Sequence, residues 1–171
     1  MTAFSDVRVI DLSTGIAGPF CSKLFADFGA DVIKVEPPTG DESRRLGPFP
    51  DDEDDPEASG IFQYLNTNKR CVTLDATTPA GRSLLRELIP EAGIVVESYP
   101  PDAMRQMGFG YSEIRKLRDD AILVSITPFG QTGPWRDYQA TDIVQYAASG
   151  IGYVNGTPDQ EPLKEPGNQS H

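Results

Sequence analysis

Short runs of apolar, mostly β-branched residues recur along the chain, and turn residues separate them from segments with helical spacing. Runs of this length and composition predict buried strands. We place five of them, at residues 7–12, 31–36, 71–75, 93–97 and 121–126. Strands that alternate with helices predict an α/β fold with a mostly parallel sheet flanked by helices.

Ligands of such sheets bind outside the carboxyl ends of the strands. That rule places four segments on one rim, at residues 15–19, 36–45, 97–101 and 127–135. The first of them precedes a predicted helix, whose N-terminal N–H groups could hold an anion. A tight turn without a ligand is the alternative for this segment.

The acidic chain contains two basic pairs, Arg44-Arg45 and Lys69-Arg70. If both pairs lie on the rim, they could bind a phosphorylated ligand through charge-assisted hydrogen bonds. Ordinary solvated surface pairs are the alternative. Residues 38–58 predict a long surface loop, mobile in its acidic part, and a loop of this length inside a domain is often functional.

Composition removes several function classes. The chain has 171 residues and a formal net charge of −11, which argues against binding to duplex nucleic acid or to an anionic membrane. Two cysteines and one histidine are too few for a disulfide framework, a Cys-rich zinc site or a histidine-based catalytic triad, so we expect no metal. Without a secretory signal or an apolar run of about 20 residues, the expected location is cytoplasmic.

Several motifs occur together in one order along the chain. They are Val9-Ile10-Asp11-Leu12-Ser13, Gly15-Ile16-Ala17-Gly18-Pro19-Phe20, Ala30-Asp31-Val32-Ile33-Lys34-Val35-Glu36-Pro37-Pro38, Gly40-Asp41, Asn68-Lys69-Arg70, Met107-Gly108-Phe109-Gly110-Tyr111 and Phe129-Gly130-Gln131-Thr132-Gly133-Pro134-Trp135. This series resembles the N-terminal portion of the class III CoA-transferases, which include formyl-CoA transferase and L-carnitine CoA-transferase.

The resemblance implies a Rossmann-like, CoA-binding large domain, of which residues 1–153 form the N-terminal part. Residues 154–171 would lead into the remainder of a longer protein. It also implies an interlocked homodimer, with an acyl-CoA and a carboxylic acid acceptor as substrates.

The resemblance also implies which residues bind CoA. The matching positions are Ile16, Ala17, Leu65, Asn66, Thr67, Lys69, Ser98 and Tyr99. The family's two phosphate-binding arginines align with Pro38 and Gln106. Arg44 or Arg45 could replace the first of these arginines, and Arg105 could replace the second.

The family's nucleophilic aspartate aligns with His171. In the family this carboxylate attacks the acyl-CoA carbonyl to give a mixed anhydride, which the CoA thiolate converts into an aspartyl-CoA thioester. An imidazole cannot form that anhydride, so we expect the chain alone to be inactive.

Two interpretations therefore stay open. In one, the full-length protein is a CoA-transferase and the alignment shifts by some residues. In the other, the chain is a catalytically silent half of a tandem member, which binds CoA or supports the dimer. A related α-methylacyl-CoA racemase is disfavoured, because the histidine expected before Asp142 is replaced by Thr141.

Overall fold

The computed structural model describes residues 2–157, 159–161 and 163–167. In this part of the chain five parallel strands form one sheet in the order β3-β2-β1-β4-β5, which confirms the predicted α/β fold. The strands are β1 (Arg8–Asp11), β2 (Asp31–Glu36), β3 (Arg70–Thr73), β4 (Ile94–Glu97) and β5 (Ile122–Ser125).

Helices connect these strands. Among the described residues they are α1 (Ala17–Asp27), α2 (Gly60–Leu65), α3 (Pro79–Leu88), α4 (Ala103–Gln106), α5 (Tyr111–Leu117), α6 (Asp142–Ala148) and α7 (Ile151–Val154), with 3-10 helices at Glu42–Arg45, Pro50–Asp52 and Ile89–Glu91. Local sequence signals set several of their ends. Thr78 caps α3 by accepting the N–H of Gly81, and Gly29 follows α1 with a left-handed φ of +99°.

The strand order reverses at β1. The chain runs outward from β1 to β2 and β3, and then returns to the other side of β1 for β4 and β5. In register, Val9 lies beside Val32 on one side and Ile94 on the other. The carboxyl ends of β1 and β4 therefore flank the switch point, where open parallel sheets bind their ligands.

The two faces of the sheet are covered by different helices. Ile10 and Val95 belong to a buried cluster with Leu85 of α3, whereas Val9 and Val96 belong to one with Ala26 of α1. Adjacent strand residues point to opposite faces, so each buried strand contributes to both clusters. Side chains on both faces of the sheet therefore hold β1 in place, and with it the start of the segment that follows β1.

Helix α1 contacts the sheet through small residues. Gly18, Ser22 and Ala26, each four residues apart, are buried. A stripe of larger apolar side chains faces outward instead, with exposed fractions of 42% for Phe20, 45% for Leu24 and 57% for Phe28. The small residues allow α1 to lie close to the end of β1.

The chain divides into two compact units, Met1–Thr127 and Pro128–His171. The first contains the sheet and helices α1 to α5. In the second, the hydroxyl of Tyr146 on α6 donates to the carbonyl of Leu163 at 2.8 Å and accepts from Asn155 Nδ2 at 2.6 Å. Among the described residues, no helix combines the length and apolar character needed to cross a membrane.

Neighbouring leucines of α3 provide a test of the core. Leu85 is fully buried, whereas Leu84 is 53% exposed. We expect Leu85→Ala to lower the free energy of unfolding by about 3 kcal/mol, because it removes buried methyl groups and leaves a cavity. Leu84→Ala, the matched control, should change it by less than about 0.5 kcal/mol. Urea unfolding monitored by circular dichroism measures both values, and equal losses would contradict the assigned packing.

Candidate functional site

The segment between β1 and α1, residues 13–16, is called the β1–α1 turn here. The backbone N–H groups of its first three residues donate to side chains from three separate parts of the chain. The pairs are Ser13 to Asp11 Oδ1 at 3.0 Å, Thr14 to Ser98 Oγ at 2.9 Å and Gly15 to Asp41 Oδ1 at 3.0 Å. Three of the predicted rim segments therefore meet at this turn.

The next three N–H groups, of Ile16, Ala17 and Gly18, begin helix α1. Within the described part of the chain they donate no hydrogen bond, no side chain caps the helix, and its first turn contains no acidic residue. Unpaired N–H groups at a helix N-terminus, together with the helix dipole, favour an anion at that position. Ile16 and Ala17 are two of the positions that the sequence predicted for CoA.

A buried ion pair supports one side of the turn. Lys34 Nζ contacts Asp41 Oδ2 at 2.6 Å and also donates to the carbonyl of Ser13, and the side chains of Lys34 and Asp41 have no exposed surface. Asp41 Oδ1 additionally accepts the N–H of Ser43 at 2.9 Å and its hydroxyl at 2.8 Å. Burial raises the pKa of Asp41, but Lys34 and the N–H donors of Ser43 and Gly15 outweigh it and hold that pKa below its usual value.

A second buried ion pair supports the start of α1. Lys69 Nζ donates to Asp11 Oδ2 at 3.0 Å, the carbonyl of Pro19 at 2.8 Å and Asn66 Oδ1 at 2.8 Å. Its side chain has no exposed surface. Since an ammonium has three donors, all the hydrogen bonds of Lys69 are made inside the protein.

Asp11 receives further hydrogen bonds from Ser13 and Ser22, the latter at 2.6 Å. Burial raises the pKa of Asp11, but Lys34, Lys69 and the two serine hydroxyls lower it more, so it lies below its usual value. Asp11 therefore stays ionised and joins the end of β1 to helix α1.

Arg44 is also bound internally. Its guanidinium makes two hydrogen bonds to Glu36, at 2.7 Å and 2.9 Å, and lies 3.7 Å from the centre of the Phe62 ring. Burial raises the pKa of Glu36, but Arg44 and the N–H of Asp41 lower it more, and the result is below its usual value. The Arg44–Glu36 pair connects the 3-10 helix Glu42–Arg45 to the end of β2.

The remaining predicted positions differ in exposure. Arg45 and Arg105 are exposed, and each makes a local contact, Arg45 with the carbonyl of Thr39 at 2.9 Å and Arg105 with Asp102 at 3.2 Å. Thr67 is exposed as well, and its hydroxyl donates to carbonyls of α2. Leu65 and Asn66 are buried. Ser98 and Tyr99 are half-buried, and Ser98 contacts the turn through Thr14, whereas Tyr99 packs against the core cluster that contains Leu85. His171 lies outside the described residues.

Sequence reasoning missed Asp41 and Lys34 as site residues. The available signal was the lysine inside the apolar strand Asp31–Glu36, because a charged residue in a buried strand needs a partner of opposite charge. Which carboxylate serves as that partner depends on the fold of the following loop. In the described part of the chain, no cluster of histidine, cysteine or acidic side chains could hold a metal ion.

Fold and turn together define a Rossmann-like α/β domain, with a helix N-terminus at its switch point whose first N–H groups have no acceptor among the described residues. The model of CoA-transferase family III matches residues 4–169, so the chain belongs to that family. This confirms the resemblance stated above.

Individual relatives agree with the family assignment. The chain is 38% identical to succinyl-CoA–D-citramalate CoA-transferase of Chloroflexus aurantiacus, over 93% of this chain and 39% of the relative. It is 41% identical to succinyl-CoA:(R)-benzylsuccinate CoA-transferase subunit BbsE of Thauera aromatica, over 98% of this chain and 41% of the relative. The chain thus spans about two fifths of the length of these curated relatives.

A solved structure shows the same fold. The crystal structure of a CaiB/BaiF family protein from Brucella suis has a TM-score of 0.88 and 34% sequence identity to this chain. The match covers 98% of this chain and 44% of that one.

Two buried glutamates near the rim should change the pH dependence of stability in opposite directions. The pKa of Glu36 is lowered in the folded state, so its ionised form stabilises the fold above the unfolded pKa, and this contribution is lost as the pH falls through the folded pKa. Glu36→Gln should therefore cost about 3 kcal/mol at pH 7, and progressively less as the pH falls below about 4.

Burial raises the pKa of Glu97, so its protonated form is favoured in the folded state, although Ser125 and the N–H of Tyr99 oppose this effect. Its stability contribution is complete below the unfolded pKa and is lost as the pH rises through the folded pKa. Glu97→Gln should gain stability relative to the wild type as the pH rises above about 4.3. Urea unfolding from pH 3 to 8 measures the difference in free energy of unfolding between each variant and the wild type. If this difference changed with pH in the same direction for both variants, the assignments would be wrong.

Proposed function

We propose that this chain supplies the CoA-binding part of a class III CoA-transferase, which moves CoA from an acyl-CoA to a free carboxylic acid. The single observation that carries the proposal is the group of N–H donors of Ile16, Ala17 and Gly18 at the switch point, which have no acceptor in the part of the chain that the structure describes. Membership of CoA-transferase family III supports CoA as the anionic ligand.

Ion pairs inside the protein reduce the electrostatic repulsion that an anion would meet at the start of α1. The chain has 26 acidic and 15 basic residues, so its overall field repels a CoA phosphate. Near the β1–α1 turn, however, the carboxylates of Asp11 and Asp41 are each paired with a buried lysine. These two buried carboxylates therefore do not cancel the partial positive charge of the helix N-terminus.

The predicted CoA positions take different parts in this proposal. The N–H groups of Ile16 and Ala17, with the side chains of Tyr99, Arg45 and Arg105, are proposed to contact CoA directly. Lys69 and Arg44 are bonded internally, so we assign them to holding the surrounding segments in place. Residues 1–153 would form this part of the large domain, in a cytoplasmic homodimer.

The acyl substrates follow from the relatives by analogy. Several of them are named for succinyl-CoA and for a dicarboxylic acid, namely D-citramalate, L-malate or mesaconate. We therefore propose a short acyl-CoA and a carboxylic acid as the substrates, with succinyl-CoA as the first to test. An aspartyl anhydride and an aspartyl-CoA thioester would be the intermediates.

A catalytically silent CoA-binding half is the second candidate, because His171 aligns with the nucleophilic aspartate of the family. An imidazole cannot form the acyl anhydride that the reaction requires. In that case the chain would bind CoA without turning it over.

Binding of CoA itself tests the common part of both candidates. Calorimetric titration of the chain should give saturable binding of one CoA per chain. In Gly18→Ala the new Cβ would lie 2.2 Å from Ser13 Cβ, so α1 must shift and the affinity should fall about tenfold. Gly93→Ala is the control, because its Cβ meets nothing nearer than Arg118 at 3.8 Å. Absence of binding by the wild type would refute the proposal.

Acyl exchange separates the two candidates. The intact polypeptide that carries this chain should exchange CoA between succinyl-CoA and a free dicarboxylic acid, and form an enzyme thioester that hydroxylamine cleaves. CoA binding without exchange or thioester would instead support the silent half. Activity gained by His171→Asp in that polypeptide would then show that His171 occupies the position of the nucleophile.

A further inference from the structure

We propose that Asp41 is a positioning residue, which orients the N–H groups of Ile16, Ala17 and Gly18 toward CoA through its contact with Gly15. This inference rests on the proposed function. It assigns a role to a residue that does not belong to the predicted CoA contacts.

The geometry around Asp41 connects a loop to the turn. Its carboxylate accepts the N–H of Gly15 and both donors of Ser43 on Oδ1, and the ammonium of Lys34 on Oδ2. Gly15 has a left-handed φ of +79° immediately before the helix begins. A hydrogen bond to this residue therefore fixes the direction in which the following N–H groups point.

Lys34 completes the arrangement from the other side of the turn. Its ammonium donates to the carbonyl of Ser13 and to Asp41. The Lys34–Asp41 pair therefore contacts the turn at two points, the carbonyl of Ser13 and the N–H of Gly15. Both side chains are fully buried and in direct contact. Neither of them is exposed to a ligand, and their effect on CoA must be indirect.

The loop that carries Asp41 is itself fixed. The hydroxyl of Ser59 donates to the carbonyls of Ser43 at 2.9 Å and Leu46 at 2.6 Å, and Arg44 is bonded to Glu36. The Asp41 carboxylate is therefore part of a rigid support, which a positioning residue requires.

An effect of charge alone and a positioning role predict opposite changes in the affinity for CoA when Asp41 is replaced in Asp41→Asn. Removing a carboxylate near an anion site makes the surroundings more positive, so charge alone predicts tighter binding of CoA. The amide that replaces the carboxylate has one acceptor oxygen and one donor group, and it cannot accept from both Lys34 and Gly15. Positioning therefore predicts about tenfold weaker binding, equivalent to about 1.4 kcal/mol.

Glu42→Gln is the matched charge control. Glu42 is exposed, and its carboxylate lies next to Gly15, where a Cβ would come within 2.7 Å of Oε1. This variant removes the same charge beside the same turn, but leaves the contact between Asp41 and Gly15 intact. We expect its affinity for CoA to be unchanged or higher.

The experiment is calorimetric titration of the full chain with CoA at a temperature where circular dichroism shows every variant to be folded. Val95→Ala serves as the stability control, because Val95 is fully buried in the core cluster that contains Leu85 and is not among the residues that hydrogen-bond to the turn. It should lower the melting temperature without changing the affinity. If Asp41 had only a structural role, Asp41→Asn would likewise lower the melting temperature and leave the affinity for CoA unchanged.

Hydrogen exchange provides a readout that does not need the ligand. In Asp41→Asn the N–H of Gly15 should exchange at least about tenfold faster, while the N–H of Ile10 in β1 keeps its protection. If Asp41→Asn does not fold, Ser43→Ala removes one donor to Asp41 without leaving a buried charge unpaired, and it should weaken CoA binding about threefold.

The outcomes separate the two proposals. A wild type that does not bind CoA refutes the proposed function, and the inference with it. A wild type that binds CoA, with unchanged or tighter binding in Asp41→Asn, overturns only the positioning role. If Asp41→Asn is unfolded, an unchanged affinity for CoA in Ser43→Ala overturns the positioning role instead.

Discussion

The β1–α1 turn depends on the neutralisation of buried charge. Asp11 and Asp41 bring carboxylate oxygens to the N–H groups of Ser13 and Gly15, in places from which water is excluded. A buried carboxylate without a partner would cost several kcal/mol. Lys69 and Lys34 remove that cost, and each ammonium also contacts a backbone carbonyl of the same region. The conformation of the turn is thus stabilised by two ion pairs, in addition to the left-handed φ that Gly15 adopts.

This arrangement determines how an acidic protein can offer a site for an anion. Lys34, Lys69 and Arg44 are used within the protein, so they balance carboxylates instead of facing a ligand. The groups left at the start of α1 are backbone N–H dipoles, whose strength as anion donors depends on their direction. Under the proposed function, the precision of the turn contributes more to CoA binding than the number of nearby cations.

The predictable part of the molecule is local in sequence. Strand positions followed from apolar runs, and each of the five predicted ranges overlaps one strand of the structure. The rim at the carboxyl ends of the strands followed from the alternation of strands and helices, whereas the switch point required the strand order of the folded sheet. The roles of charged side chains did not follow, because Lys69 and Asp11 are 58 residues apart and their contact requires the folded sheet. The same applies to Thr14 and Ser98, which are 84 residues apart.

The sequence by itself determined the α/β class, the positions of the strands, the start of α1 and the family, since these depend on periodicity, turn residues and ordered motifs. Only the tertiary structure decided which side chains are bonded internally and which N–H groups remain for a ligand. The physical reason is that burial and hydrogen-bond partners arise when distant segments meet. Which carboxylate pairs with a buried lysine, and which backbone N–H group lacks an acceptor, depend on contacts between distant segments and not on any one segment.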